Sequence, residues 1–214
     1  RDLSRGVGPR RLRRVREAMN IPWGFGSFDR VFFGLINGVW THPSLDAIMP
    51  VITDMHKVPW FIYGVAPAGL GVWLYKGRKN ALRVLVVAAI AIGVCDLLAY
   101  RVIKPWAARP RPEYAGIGAI VRGPSGGRLG FPSNHATNAA AAASVLSVAY
   151  PAAGFVFWCL AGLIAYSRVY CGQHYPFDVL AGLILGGVLS WPWAMLMLGG
   201  AKSGGSGGGK KKRR

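Results

Sequence analysis

Several stretches of this chain are hydrophobic on every face for the length of a helix, and this constrains its fold more than any other feature. Residues 84–99 are the clearest case: before Asp96, only Gly93 and Cys95 interrupt the aliphatic run. A helix that is apolar all round is a core or membrane helix rather than a surface one. A bilayer core of about 30 Å takes about 20 apolar residues per helix, and runs at 59–75, 82–103, 134–150, 154–170 and 177–198 approach that length. The expected fold class is all-α, a polytopic membrane helical bundle. Its 214 residues are enough for one domain, expected over 1–200.

Charge is placed around these runs rather than within them. The formal net charge of +18 gathers at the N-terminus (Arg1, Arg5, Arg10, Arg11, Arg13, Arg14, Arg16), at Lys76, Arg78, Lys79 and Arg83, and in Lys210–Arg214. Basic segments flanking apolar spans follow the positive-inside bias and attract anionic lipid at the termini, so no nucleic-acid partner is expected. Within a basic segment at 1–27, residues 10–20 read as a short interfacial helix. Residues 201–214 read as a flexible Gly/Ser tail ending in Lys and Arg. The N-terminus is too basic and too poor in apolar residues for a cleaved signal peptide. Three cysteines, Cys95, Cys159 and Cys171, make no even-numbered disulfide framework.

Against this apolar background stand three polar clusters: Lys104 with Arg111-Pro112, then Pro132-Ser133-Asn134-His135, then Ser167-Arg168 with His174 and Asp178. Ionisable groups beside hydrocarbon are costly to keep and mark functional sites. Residues 105–131, with Pro110, Pro112, Pro124 and several glycines, cannot span and form a long functional loop. If residues 76–83 are cytoplasmic, parity carries all three clusters to the opposite face. It also requires a further, irregular crossing before Pro59, for about six in all. That crossing is drawn from the short apolar runs on either side of Thr41-His42-Pro43-Ser44.

Each residue has a chemical task available. His174 needs its second nitrogen held by a carboxylate to act as nucleophile or base. Pro176 suits a first helical turn, which puts Asp178 where the macrodipole favours an anion. Ser133 and the free N–H groups at a helix start form an anion site, beside which His135 is either a proton donor or a first-turn surface residue. Lys104, Arg111 and Arg168 supply charge for phosphate oxygens. Arg109 reads as an arginine snorkelling toward headgroups.

The order and spacing of these residues, Lys104 with six residues to Arg111-Pro112, Pro132 through His135, and Ser167-Arg168 with five residues to His174 and three more to Asp178, resemble the three-part signature of the type 2 phosphatidic acid phosphatase superfamily. That superfamily shares its phosphate pocket with vanadium haloperoxidases. The resemblance implies His174 as a phosphohistidine-forming nucleophile, Asp178 as its partner and His135 as acid for the leaving group. Lys104, Arg111, Ser133, Asn134 and Arg168 would hold phosphate, with no metal and no cofactor. Asn134 stands where the family usually has glycine. The implied enzyme is a multi-pass lipid phosphatase of the cell (inner) membrane, its site facing the periplasm and its substrate entering from the bilayer.

A polyprenyl diphosphate is the first substrate expected, by analogy. Phosphatidate, phosphatidylglycerol phosphate and lipid A follow. Transfer between lipids, and a non-enzymatic basic adaptor, are the other readings. A soluble haloperoxidase disagrees with the hydrophobic spans.

Overall fold

The computed structural model describes residues 26–124 and 126–199. The basic segment 10–20 and the tail 201–214, with the anionic-lipid contacts expected of them, lie outside the described residues. Those described form helices α1 (Gly26–Gly34), α2 (Pro43–Thr53), α3 (Ala66–Leu98), α4 (Lys104–Ala107), α5 (Asn134–Ala149), α6 (Gly154–Tyr170) and α7 (Pro176–Leu198). Short π-helical turns at Leu35–Val39, Phe61–Val65 and Ala99–Ile103 extend or join them. The only β pairing among the described residues is an isolated antiparallel bridge, Pro110 to Leu129, inside the long loop. The all-helical expectation is met.

Three described segments are long and apolar enough to cross a bilayer: Lys79–Ala107, Pro151–Tyr170 and Pro176–Leu198. Their composition sorts by face. On α7 the exposed side chains Leu180, Ile184, Val188, Trp191 and Met195 follow one helical stripe, while Val179, Gly182, Gly186, Ser190 and Ala194 are buried on another. Large apolar groups outside and small ones inside invert the soluble pattern, and suit a helix whose solvent is lipid. The expected span 134–150 forms α5 but reaches only 16 residues. It is a central helix, packed against α3, α6 and α7, and its buried face is mostly Ala, Ser and Thr.

Small residues let α5 and α7 touch backbone to backbone. A Cβ built at Gly182 would lie 2.7 Å from the Ser133 carbonyl oxygen. One at Gly186 would overlap the Thr137 carbonyl and come within 2.9 Å of the Ala140 Cβ. Gly186→Ala must therefore push the two helices apart, at about 1–3 kcal/mol for overpacking. A lowered thermal midpoint in detergent is the expected result, and an unchanged midpoint would contradict the close packing.

The basic stretch 76–83, expected as a break between two spans, is helical throughout α3. The chain bends there instead. A Cβ at Gly77 would sit 2.7 Å from that of Ala81, whereas neighbours four apart on a straight helix are about 5–6 Å apart. Both flanks return to one end of the bundle: Asp54, just before the first flank, lies 3.8 Å from Arg168 Nη1 at the end of α6, and Lys104 Nζ donates to the Pro132 carbonyl at 2.7 Å. Trp73, nearer the bend, donates to the Tyr150 hydroxyl at the far end of α5 (2.8 Å).

The long loop is tied down by polar side chains. Asn37 donates to the Ile120 and Tyr170 carbonyls and accepts from the Ile120 N–H, each at 2.8 Å. Arg122 donates to the Asn37 and Tyr170 carbonyls (3.0 and 2.9 Å), and Gln173 donates to Pro124 (3.0 Å). These bonds hold the loop over the ends of α5, α6 and α7.

Candidate active site

Helix ends build the site. α6 closes at Tyr170, and Gly172 turns the chain at φ 78°, where a Cβ would meet the Ile120 carbonyl oxygen at 2.5 Å. Only glycine adopts that conformation readily. The turn presents His174 between Arg168 in the last turn of α6 and Asp178 in the first turn of α7, which has Pro176 near its start as expected. Across from it, Ser133 is the N-cap of α5, and its N–H donates to the Asp178 carbonyl at 2.9 Å. The Ser133 hydroxyl makes no capping bond; it is buried and unpartnered.

All the residues selected from sequence meet here. His174 is 1% and Asp178 0% exposed, with Nδ1 of the histidine 3.6 Å from Asp178 Oδ2. That is just beyond a hydrogen bond, and such contacts commonly tighten in the loaded enzyme. Lys104 is buried, with Nζ 3.3 Å from the Leu129 carbonyl in addition to its bond to Pro132. The Nε of Arg111 donates to Leu129 (3.3 Å), and its Nη1 is buried without a partner. Gly126 admits this guanidinium, since a Cβ there would lie 2.6 Å from Nη1. Arg168 donates from Nη1 to Thr53 Oγ1 (2.9 Å) and leaves Nε buried and unpartnered.

Charge and burial act together on His174. Burial first, then Arg111, Arg168, Lys104 and His135, hold its imidazole well below the ordinary value of 6.5. The neutral form of an imidazole is the nucleophilic one. Three buried donors, Arg111 Nη1, Arg168 Nε and Ser133 Oγ, lack partners. Buried polar atoms are normally satisfied, so a set of unsatisfied donors among cations is a site shaped for an anion.

The Asn134 side chain turns toward α3. Its side-chain amide donates to Asp96 Oδ1 on α3 at 2.7 Å, and Asn138 donates to the same oxygen at 3.0 Å. One of its two amide hydrogens is thereby used, and the backbone N–H at the start of α5 is a further donor.

Arg109 corrects the reading of a snorkelling arginine. Its side chain is 10% exposed, donates from Nη1 to Asp178 Oδ1 at 2.6 Å and pairs through Nη2 with Asp29 on α1. Its guanidinium lies 4.1 Å from the Tyr175 ring centroid. Asp29 in turn accepts from the Phe177 N–H at 2.9 Å, while Asp178 Oδ2 accepts from the Tyr175 N–H at 2.9 Å. Asp178 is thus fixed through both oxygens. The signal for Asp29 was a single carboxylate in an apolar helix, the same kind of oddity that marked the three clusters.

Comparison with known proteins follows the geometry. Residues 80–200 match the profile of the PAP2 superfamily. The chain is 30% identical over 164 residues to a lipid A 4'-phosphatase of Porphyromonas gingivalis, covering 74% of this chain and 68% of that protein. It is 29% identical over 159 residues to the undecaprenyl-diphosphatase BcrC of Bacillus subtilis, covering 73% and 78%. Its fold resembles the crystal structure of Aquifex aeolicus LpxE, with TM-score 0.61 at 23% identity over 84% of this chain and 99% of that one.

Proposed function

This chain belongs to the PAP2 superfamily and is a membrane lipid phosphatase, and from that premise we propose that it passes phosphate from its lipid to His174 and then to water. With Nδ1 turned toward Asp178, Nε2 attacks phosphorus. The bond to the lipid oxygen breaks, and His135 gives that oxygen its proton. Water then attacks the phosphohistidine, the P–N bond breaks, and His135 takes the proton back. Lys104, Arg111, Arg168, Ser133 and the Asn134 N–H bind the phosphoryl oxygens, stabilising charge as it develops. The observation that carries this reading is the set of buried, unpartnered donors around His174.

The substrate is a lipid phosphomonoester or a polyprenyl diphosphate, classes represented by the lipid A 4'-phosphatase and undecaprenyl-diphosphatase relatives. We place the site on the extracytoplasmic face of the inner membrane in a six-crossing arrangement. Supporting this, Arg83 of the basic bend contacts the Met197 carbonyl. Met197 lies about 30 Å along α7 from Asp178 at 1.5 Å per residue, so positive charge and active site sit at opposite ends of the bundle.

Phosphate release in detergent, with a chelator present, is expected from at least one of polyprenyl diphosphate, phosphatidate and lipid A. Rapid quenching in alkali should trap label on His174. Release that stops with the chelator would contradict a metal-free route, and label found only on a second lipid would contradict hydrolysis.

A further inference from the structure

Asp54 ends α2 in a position that none of the three polar clusters announces. It is 7% exposed, and both carboxylate oxygens are shielded from solvent; Oδ1 is ion-paired with Lys57, while Oδ2 has no partner. Around it stand Arg168 Nη1 at 3.8 Å from Oδ1, His135 Nε2 at 4.0 Å from the same oxygen, and the half-exposed Lys57 at 2.9 Å. The preceding residue, Thr53, already holds Arg168 Nη1. A buried carboxylate with incomplete bonds is costly unless its charge is used.

We propose that Asp54 is a positioning residue for the leaving-group side of the site: it orients His135 as proton donor. The inference rests on reading His135 as the acid. A carboxylate repels phosphoryl oxygens, so Asp54 acts through its neighbours His135 and Arg168. The site then holds two histidine–carboxylate pairs with opposite tasks. Asp178, fixed by Arg109, faces the neutral imidazole that attacks. Asp54 faces the imidazole that must carry a proton among Lys104, Arg111 and Arg168, and its negative charge offsets that crowd of cations.

A donor matters most when the leaving oxygen is basic. The test compares two probes on the full chain in detergent: p-nitrophenyl phosphate, whose phenolate leaves without help, and dihexanoyl phosphatidate, whose alkoxide needs a proton. For Asp54→Asn, kcat on phosphatidate is expected to fall by about 10²-fold, within the range for general acid catalysis. On the aryl phosphate it should fall by less than about 10-fold, with KM for both near the wild-type value. His135→Ala should show the same selectivity, and the double variant should be no worse than His135→Ala alone, as coupled residues behave.

Equal losses on both probes, or additive losses in the double variant, would overturn the inference. Should Asp54→Asn fail to fold, Asp54→Glu carries the test, since a displaced carboxylate predicts the same selectivity in weaker form. If His135→Ala itself ignores the leaving group, the acid assignment fails. Label reaching His174 alongside a leaving-group-blind Asp54→Asn removes only the role given to Asp54.

Discussion

His174→Ala is expected to lower phosphate release by about 10⁴-fold or more, the scale on which loss of a nucleophile removes covalent catalysis. No second imidazole can replace it, because His135 stands on the Asp54 side of the site. Binding should survive: Lys104, Arg111, Arg168 and Ser133 remain, so vanadate is expected to protect both the variant and the wild type against heat. Retention of most activity would transfer the nucleophilic role elsewhere. The wild type should also show a displaced acid limb. Burial and the neighbouring cations hold His174 well below 6.5, so its neutral form persists as pH falls past the ordinary imidazole range. kcat/KM, which reports the free enzyme, should therefore lose its nucleophile only below about pH 6.5. An acid limb above that value would contradict the buried, cation-crowded setting.

Arg109→Ala carries the second large effect. Arg109 bridges Asp29 and Asp178, both buried with side chains 0% exposed, and its loss strands two carboxylates in an apolar interior. Removing one partner of a buried ion pair costs about 3–5 kcal/mol, or roughly 10 °C in the thermal midpoint for a domain of this size. Activity should fall as well, since Asp178 loses one of the bonds that fix it beside His174. Arg109→Lys keeps the charge but not the planar fork that reaches both carboxylates, and should lie between. An interfacial arginine reaching for headgroups would show none of this, so an unchanged midpoint in Arg109→Ala would restore the snorkelling interpretation.

Motif residues and their local settings were legible because they are close in sequence. Pro176, Asp178 and His174 define a helix start and the turn before it; Pro132 through His135 define another. The loop between Lys104 and Ser133 was legible from its prolines and glycines. The partners of those residues were not. Asp29 reaches Phe177 across 148 positions, and Arg168 reaches Thr53 across 115. No periodicity reports such pairs, because each is a consequence of where α1 and α2 dock. The bend at Gly77 was hidden for a related reason: the charges of residues 76–83 read as a loop, while their backbone keeps helical hydrogen bonds.

By itself the sequence determined the solvent and the chemistry. Apolar runs of helix length can be satisfied only by lipid or by one another, and charges lodged among them need a ligand or counter-ion. Family membership is legible in the order and spacing of the motif residues, and the roles proposed for those residues rest on that likeness. Tertiary structure alone decided which carboxylate serves which cation. It gave Arg109 to Asp29 and Asp178, turned the Asn134 amide toward Asp96, and set Asp54 beside His135 and Arg168. Ion pairing in a low-dielectric interior depends on distance and desolvation rather than on order along the chain, so these assignments exist only once the helices are packed.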